Sequence, residues 1–123
     1  MERITELGPG EIFVFGSNAS GAHGAGAART AHERFGAVWG EGHGLHGRSY
    51  AIDTMSGFDA LRDEAATFRA FAGEHPELTF LLTPVGCGIA GYTAREVAPL
   101  FADSPPNVRL PDEFAAVVGP DEG

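Results

Sequence analysis

Residues 12–28 read IFVFGSNASGAHGAGAA, an apolar run that passes into a glycine-rich loop and then toward a helix. Residues 80–92 read FLLTPVGCGIAGY and repeat this order of strand and glycine-rich loop. Glycine lets the backbone approach a ligand closely and adopts dihedral angles closed to other residues. A loop that ends at a helix start also presents free N–H groups, where the helix dipole favours an anion. Two such loops predict a site that surrounds a phosphate-bearing molecule from two sides.

Strand and helix signals alternate along the rest of the chain. Apolar runs predict strands at 12–15, 49–54, 78–85 and 107–110. Helical spacing of apolar residues predicts helices at 26–35 and 58–72, a helix after a capping box at Thr93 and Glu96, and a weak helical turn at 114–118. The glycine-rich stretch 36–48 is interpreted as a loop.

This alternation predicts an α/β fold, a three-layer α/β/α sandwich with a mostly parallel sheet. We expect one domain over residues 1–123, with a lead-in at 1–10 and a flexible tail at 119–123. In such folds ligands bind at the carboxyl ends of the strands, where both glycine-rich loops fall.

Composition and charge restrict the classes of function. The 123 residues are 43% hydrophobic with nine Phe, enough for a core without disulfides, and the single Cys favours a cytoplasmic protein. The polar N-terminus is not typical of a signal peptide, and no apolar run is long enough to span a bilayer. All eight basic residues are Arg, which excludes a catalytic or Walker lysine. A net charge of −9 argues against binding to membranes and against non-specific binding to nucleic acid.

The negative charge is unevenly distributed. Residues 16–55 contain three acidic and three basic residues and four of the five His, so the whole excess lies elsewhere. An anionic ligand would meet less repulsion in this segment than on the rest of the surface. A solubilising acidic surface is the alternative explanation of the charge.

The second loop matches G-x-G-x-x-G at Gly86, Gly88 and Gly91. A dinucleotide-binding fold is one interpretation, although there the third glycine lies inside the helix, whereas here the cap at Thr93 follows it. The other two interpretations are a phosphate-holding loop of another α/β fold and a structural turn.

Several side chains are candidates for chemistry. Cys87 could be a nucleophile with a pKa lowered by a helix N-terminus, or a packed thiol. His43 and His46, with His23 and His32, suggest zinc, but no Cys pair or Glu-x-x-His pattern accompanies them, and we expect no metal and no cofactor. Three polar residues and one aromatic near the strand ends are further candidates. Asn18 could hydrogen-bond a ligand or form a turn, and His23 and Asp53 are candidate bases. Tyr92 could stack on a ring of the ligand.

Together, FVFGSN, HGAGAA, GRSYAI, GCGIAGY and APLF, from Ile12 to Val118, resemble the macro domain, an ADP-ribose-binding α/β/α module. The chain is similar to a bacterial and phage group of macro-like proteins. The stretch from His23 to Gly36 resembles the segment "G-x-G-(I/V)-A … F-G" of macro domains that hydrolyse ADP-ribosyl esters and nucleobases. Val85 to Gly91 resembles their diphosphate loop "I-G-C-G-L".

The resemblance implies a pocket at the strand ends. Its ligand-binding residues would be Gly16, Ser17, Asn18, Gly24, Ala25, Gly26 and Ala27 in the first loop, and Gly86, Cys87, Gly88, Ile89, Ala90, Gly91 and Tyr92 in the second. The second loop would hold the diphosphate and distal ribose, and the first would lie near the scissile bond.

The chain departs from the family where its catalytic residues would be. One branch uses a Lys after the strand that matches 49–54, and this chain contains no Lys. The same branch has an Asp after "G-C-G-L", where this chain has Ala90. Another branch has an Asp in the first loop, where this chain offers Ala27 or Ala28.

The expected function is therefore binding of ADP-ribose or a related nucleoside diphosphate sugar, with ADP-ribose or an ADP-ribosylated macromolecule as partner. Hydrolysis of ADP-ribosyl groups would use a water held by Asn18, with His23 or Asp53 as base. A non-enzymatic reader or sequestering module is the alternative, and a structural interaction protein or a metal-dependent hydrolase are further ones.

Overall fold

The computed structural model describes Ile4, residues 6–22 and residues 26–119. Within them, five strands alternate with helices, except that the second and third strands follow one another directly. The strands are β1 (Glu11–Ser17), β2 (Gly44–His46), β3 (Ser49–Asp53), β4 (Thr79–Leu82) and β5 (Val108–Arg109). The helices are α1 (Gly26–Arg34), α2 (Phe58–Gly73), α3 (Ala94–Val97) and α4 (Asp112–Val118), with a 3₁₀ helix at Ala98–Phe101.

The strands form one sheet in the order β2-β3-β1-β4-β5. β1, β3, β4 and β5 are parallel, and only β2 is antiparallel, paired with β3. The predicted α/β class and mostly parallel sheet are confirmed, and the architecture is compatible with an α/β/α sandwich. Because β1 lies between β3 and β4, the carboxyl ends of these three strands meet at the same edge.

Alternate residues of β1 divide between two hydrophobic clusters. Ile12 and Val14 pack with α2, the 3₁₀ helix and α4, in a cluster that contains five fully buried or nearly buried Phe and Tyr side chains, Tyr50, Phe68, Phe80, Phe101 and Phe114. Phe13 and Phe15 pack with Ala28, Ala31 and Phe35 at α1. The period of two along a strand explains this division.

The structure corrects two of the predicted boundaries. The stretch 36–48, expected to be a loop, contains β2, whose Leu45 pairs with Tyr50 of β3. The strand expected at 78–85 covers only Thr79–Leu82, because Pro84 has no N–H to donate and Val85 N donates to the carbonyl of Thr83, at 2.6 Å, instead of to β1. The capping box is confirmed, since Thr93 Oγ1 accepts from Glu96 N at 3.1 Å and Glu96 Oε1 accepts from Thr93 N at 2.9 Å.

Among the helices of the described residues, none combines the length and the apolarity that crossing a bilayer demands. The predicted tail lies outside the described residues from position 120 onward, as do positions 1–3 and 5 of the predicted lead-in.

Candidate functional site

A cavity of about 1260 Å³ lies where β1 and β4 end and α1 begins. Residues 16–18 and 22 border it on one side, and residues 83–86 and 88–90 on another. The remaining lining residues are Ile4, Phe13, Gly26, Ala27, Ala28, Arg29, Thr30, Glu33, Arg34, Thr54 and Met55. The two glycine-rich loops therefore share one cavity at the carboxyl edge of the sheet, the position at which α/β folds bind ligands.

The two loops approach each other at Gly16. A Cβ atom at Gly16 would lie 3.2 Å from Cγ2 of Thr54 and 3.6 Å from the backbone nitrogen of Gly86. Thr54 closes this junction from β3, because both its N–H and its hydroxyl donate to the carbonyl of Ser17, at 3.0 and 3.1 Å. A side chain at position 16 would crowd the contact between the strand ends, so glycine there keeps the floor of the cavity compact.

The first loop is closed by the carboxamide of Asn18. Its Oδ1 accepts from Ser20 Oγ at 2.6 Å and from Ala22 N at 3.1 Å, and its Nδ2 donates to the Ala22 carbonyl at 3.0 Å. This is the turn-forming role of Asn. The oxygen of Asn18 is fully engaged, whereas one Nδ2 proton has no acceptor in the described part of the chain.

Gly42 supports the first loop from outside. A Cβ atom there would lie 1.9 Å from the carbonyl oxygen of Asn18 and 3.5 Å from the nitrogen of Gly21. The stretch that precedes β2 therefore packs backbone against backbone on this loop.

The second loop is closed by backbone hydrogen bonds. Gly86 has φ +82°, and its carbonyl accepts from Tyr92 N at 2.9 Å, while Gly91 N donates to the Gly88 carbonyl at 3.0 Å. Within residues 4, 6–22 and 26–119, the N–H groups of Gly88, Ile89 and Ala90 have no acceptor. Because all three residues line the cavity, this loop offers it a row of unpaired backbone donors.

Among the described residues that line the cavity, the charged ones all belong to α1. Arg29 Nε donates to Glu33 Oε2 at 2.8 Å, and both side chains are exposed. This hydrogen bond and the charge of Arg29 lower the pKa of Glu33. Together with Arg34, the charged lining residues amount to two cations and one anion, a net charge of +1 in a chain of −9.

The structure brings most of the predicted ligand-binding residues together. Those that line the cavity are Gly16, Ser17, Asn18, Gly26, Ala27, Gly86, Gly88, Ile89 and Ala90. Asp53, Cys87, Gly91 and Tyr92 are not among its lining residues. His23, Gly24 and Ala25 lie outside the described residues.

Asp53 and Tyr92 have other partners. Asp53 is buried, and its carboxylate accepts from Met55 N at 2.9 Å and from the hydroxyl of Ser56, so it closes the turn between β3 and α2. The Tyr92 ring packs edge-on against Phe58, with ring centroids 5.4 Å apart.

The suggestion that a helix N-terminus lowers the pKa of Cys87 is wrong. Burial raises the pKa of this thiol, and the carboxylates of Glu113 and Glu96 raise it further. Since the thiolate is the nucleophile, these surroundings disfavour nucleophilic catalysis.

The His residues of the zinc interpretation bind protein groups. His43 Nδ1 lies 2.9 Å from Glu64 Oε2, and His46 Nε2 lies 3.0 Å from the carbonyl of His43. His32 Nδ1 lies 3.0 Å from the Ala37 carbonyl. Over the described part of the chain, no three His, Cys, Asp or Glu side chains form a group that could hold a metal ion.

Sequence reasoning missed the residues that complete the cavity. Thr54 and Thr83 follow β3 and β4 directly, so the rule that ligands bind at strand ends would have found them. Arg29 lies three residues after Gly26 on the helix expected to face the ligand. Met55 gives no signal in the sequence, although its side chain is half exposed at the cavity.

No family model matches this chain, and neither the curated proteins nor the solved structures give a match. The function of the chain is therefore inferred from the cavity and from the residues that line it.

Proposed function

We propose that this protein is a macro-like α/β/α domain that binds ADP-ribose or a related nucleoside diphosphate sugar in the cytoplasm, free or attached to a macromolecule. One observation carries the proposal. Gly88, Ile89 and Ala90, whose N–H groups have no acceptor among the described residues, line the same cavity as the loop that begins at Gly16. Backbone donors in a concave loop bind phosphate oxygens without a lysine.

The rest of the cavity supports the same class of ligand. Its volume of about 1260 Å³ holds a molecule larger than a mononucleotide. The net charge of its lining residues is positive, which favours a diphosphate. The hydroxyl oxygens of Thr30, Thr54 and Thr83 can accept hydrogen bonds from ribose, while their protons are donated to backbone carbonyls.

Binding is better supported than hydrolysis. A general base needs a free acceptor within hydrogen-bond reach of the substrate. Glu33 is the one carboxylate among the described lining residues, and its lowered pKa and its bond to Arg29 make it a weak base. Asp53 is occupied by Met55 and Ser56, and the Asn18 oxygen is occupied within its own loop. We therefore favour a reader or sequestering module over an enzyme.

One observation favours hydrolysis as the second candidate. The remaining Nδ2 proton of Asn18, which lines the cavity, can hold a water molecule beside the ligand. Release of ADP-ribose from modified protein or nucleic acid tests this. Turnover by the wild type that is lost in Asn18→Ala supports an enzyme, whereas tight binding without product supports the reader.

Binding is tested by calorimetry and thermal shift with ADP-ribose, NAD, ADP and adenosine. At about 100 times its Kd, a ligand adds roughly 2.7 kcal/mol to the free energy of unfolding. We expect this stabilisation with ADP-ribose and not with adenosine. No stabilisation by any of the diphosphates at millimolar concentration would refute the proposal.

A carboxylate placed in the second loop sharpens the test. Gly88→Asp adds its side chain in open space, since no atom lies within 4 Å of a Cβ there. The added charge should abolish binding by repelling the diphosphate. Gly73→Asp is the matched control, because it adds the same charge at the end of α2, where the nearest atom is Pro105 Cγ at 3.8 Å. Equal affinity of the two variants would argue against a diphosphate at this loop.

A further inference from the structure

We propose that Arg29 is an anion-binding residue of this cavity and that its ion-pair partner Glu33 opposes binding of the anion. This inference rests on the proposed function and adds to it a side chain that recognises the phosphate groups. Neither residue belongs to the glycine-rich loops.

A bound diphosphate requires positive charge in its site. A diphosphate carries at least two negative charges, and three backbone N–H groups supply only partial positive charge. The chain contains no Lys, so Arg alone can supply a full positive charge that persists at every relevant pH. Among the described lining residues, Arg29 and Arg34 are the cations.

Position distinguishes the two arginines. A helix rises about 1.5 Å per residue, so Arg29 lies roughly 4.5 Å along α1 from Gly26, and Arg34 roughly 12 Å. Gly26 begins α1 and lines the cavity. Arg29 is therefore on the first turn, at the end of the helix nearer the loops, whereas Arg34 is at its far end.

The hydrogen bonding of Arg29 leaves its phosphate-recognising edge available. The bond to Glu33 uses Nε, and the two terminal nitrogens have no acceptor in the part of the chain that the structure describes. A guanidinium binds phosphate through two parallel N–H groups, and the terminal pair supplies such an edge. Both side chains of the ion pair are more than half exposed, at 64% and 54%, so the pair contributes little to stability and a ligand can reorient it.

Glu33 has the opposite effect on an anion. Its carboxylate lines the same cavity and, like that of an ordinary Glu, is ionised at neutral pH; the hydrogen bond from Arg29 lowers its pKa further. An ionised carboxylate there repels a diphosphate and competes for the same guanidinium. The two members of one ion pair should therefore change affinity in opposite directions, which a purely structural pair would not do.

The test measures the affinity of inorganic pyrophosphate, ADP and adenosine by calorimetry. Arg29→Gln should lower the affinity for pyrophosphate and for ADP about tenfold or more, since it removes a charge-assisted hydrogen bond. Glu33→Gln should raise the affinity for both ligands several-fold. Adenosine, which has no phosphate, should give the same weak or absent signal with every variant.

Arg62→Gln is the matched control. Arg62 forms an equivalent exposed pair on α2, with Nη2 2.9 Å from Asp59 Oδ1, and it does not line the cavity. This variant changes net charge as Arg29→Gln does, and affinity should stay within twofold of the wild type. Thermal unfolding of each variant checks that the fold is retained.

The outcomes separate this inference from the proposed function. Binding of diphosphates by the wild type with unchanged affinity in Arg29→Gln would overturn the role of Arg29 alone. An equal loss in Arg29→Gln and Arg34→Gln would overturn it too, because general charge would then explain both. Weaker binding in Glu33→Gln would overturn the opposing role of Glu33. No binding of pyrophosphate, ADP or ADP-ribose by the wild type would refute both proposals.

Discussion

The loop after β1 and the loop after β4 border the same cavity, but they are held in shape by different groups. In the first, the Asn18 side chain makes three hydrogen bonds to Ser20 and Ala22, in addition to the backbone bond from Gly21 N to the Asn18 carbonyl. In the second, backbone groups bond to one another, and three residues that line the cavity have N–H groups without an acceptor in the part of the chain that the structure describes. Similar glycine-rich sequences thus meet two physical needs, which are close backbone packing in one loop and exposed donors in the other.

The difference is clearest in what a methyl group would meet. At Gly42, which packs on the first loop, it would lie 1.9 Å from the Asn18 carbonyl oxygen. At Gly88 in the second loop it would meet nothing within 4 Å. Alanine substitutions can therefore show whether the two loops really differ in this way.

The largest effect is expected for Gly42→Ala. The backbone of one loop must move to relieve the overlap, so the free energy of unfolding should fall by about 3 kcal/mol or more. Gly88→Ala should change it by less than about 1 kcal/mol, because no contact is lost and no positive φ is involved. Urea denaturation of both variants measures the difference, and equal losses would mean that the loops are packed alike.

A smaller effect is expected for Asn18→Ala. Loss of three hydrogen bonds at a partly exposed loop should lower the free energy of unfolding by about 1–2 kcal/mol. Ser20→Ala removes only one of them and should cost about 0.5 kcal/mol. If the two variants were equally stable, the carboxamide would not be what closes the first loop.

The smallest effect concerns Cys87 in the second loop. Burial and two carboxylates raise its pKa, so less thiolate is present at neutral pH than in an ordinary cysteine. Alkylation by iodoacetamide should be slower than that of a model peptide at neutral pH, and its rate should still be rising at pH values above the ordinary thiol pKa. Mass spectrometry across a pH series gives the rates, and fast labelling at neutral pH would restore the nucleophile hypothesis.

Much of the fold could be predicted because its signals are local. The apolar run at 12–15, the spacing of Phe58 to Ala72 and the capping box at Thr93 each depend on neighbouring residues, and the structure contains the corresponding elements. The meeting of both loops followed from a general property of parallel sheets. β2 was missed because its three residues, Gly44–His46, have no strand signal of their own and become a strand only by pairing with β3.

The site was less predictable, because its details depend on tertiary contacts. Sequence position suggested a free carboxylate at Asp53, but Met55 and Ser56 occupy it. For Cys87 it left open a nucleophile or a packed thiol, and only the folded chain shows the burial and the carboxylates of Glu113 and Glu96 that oppose ionisation. The importance of Arg29 required knowing which face of α1 borders the cavity.

The lengths of the outer strands have a consequence for self-association. The described sheet ends in β2, of three residues, and β5, of two, whereas its most apolar strands lie inside. Open strand edges are templates for intermolecular β-pairing, and short edges give an incoming chain few hydrogen bonds. The native protein should therefore resist fibril formation, and that hazard should arise only when unfolding exposes the Phe-rich segment of β1.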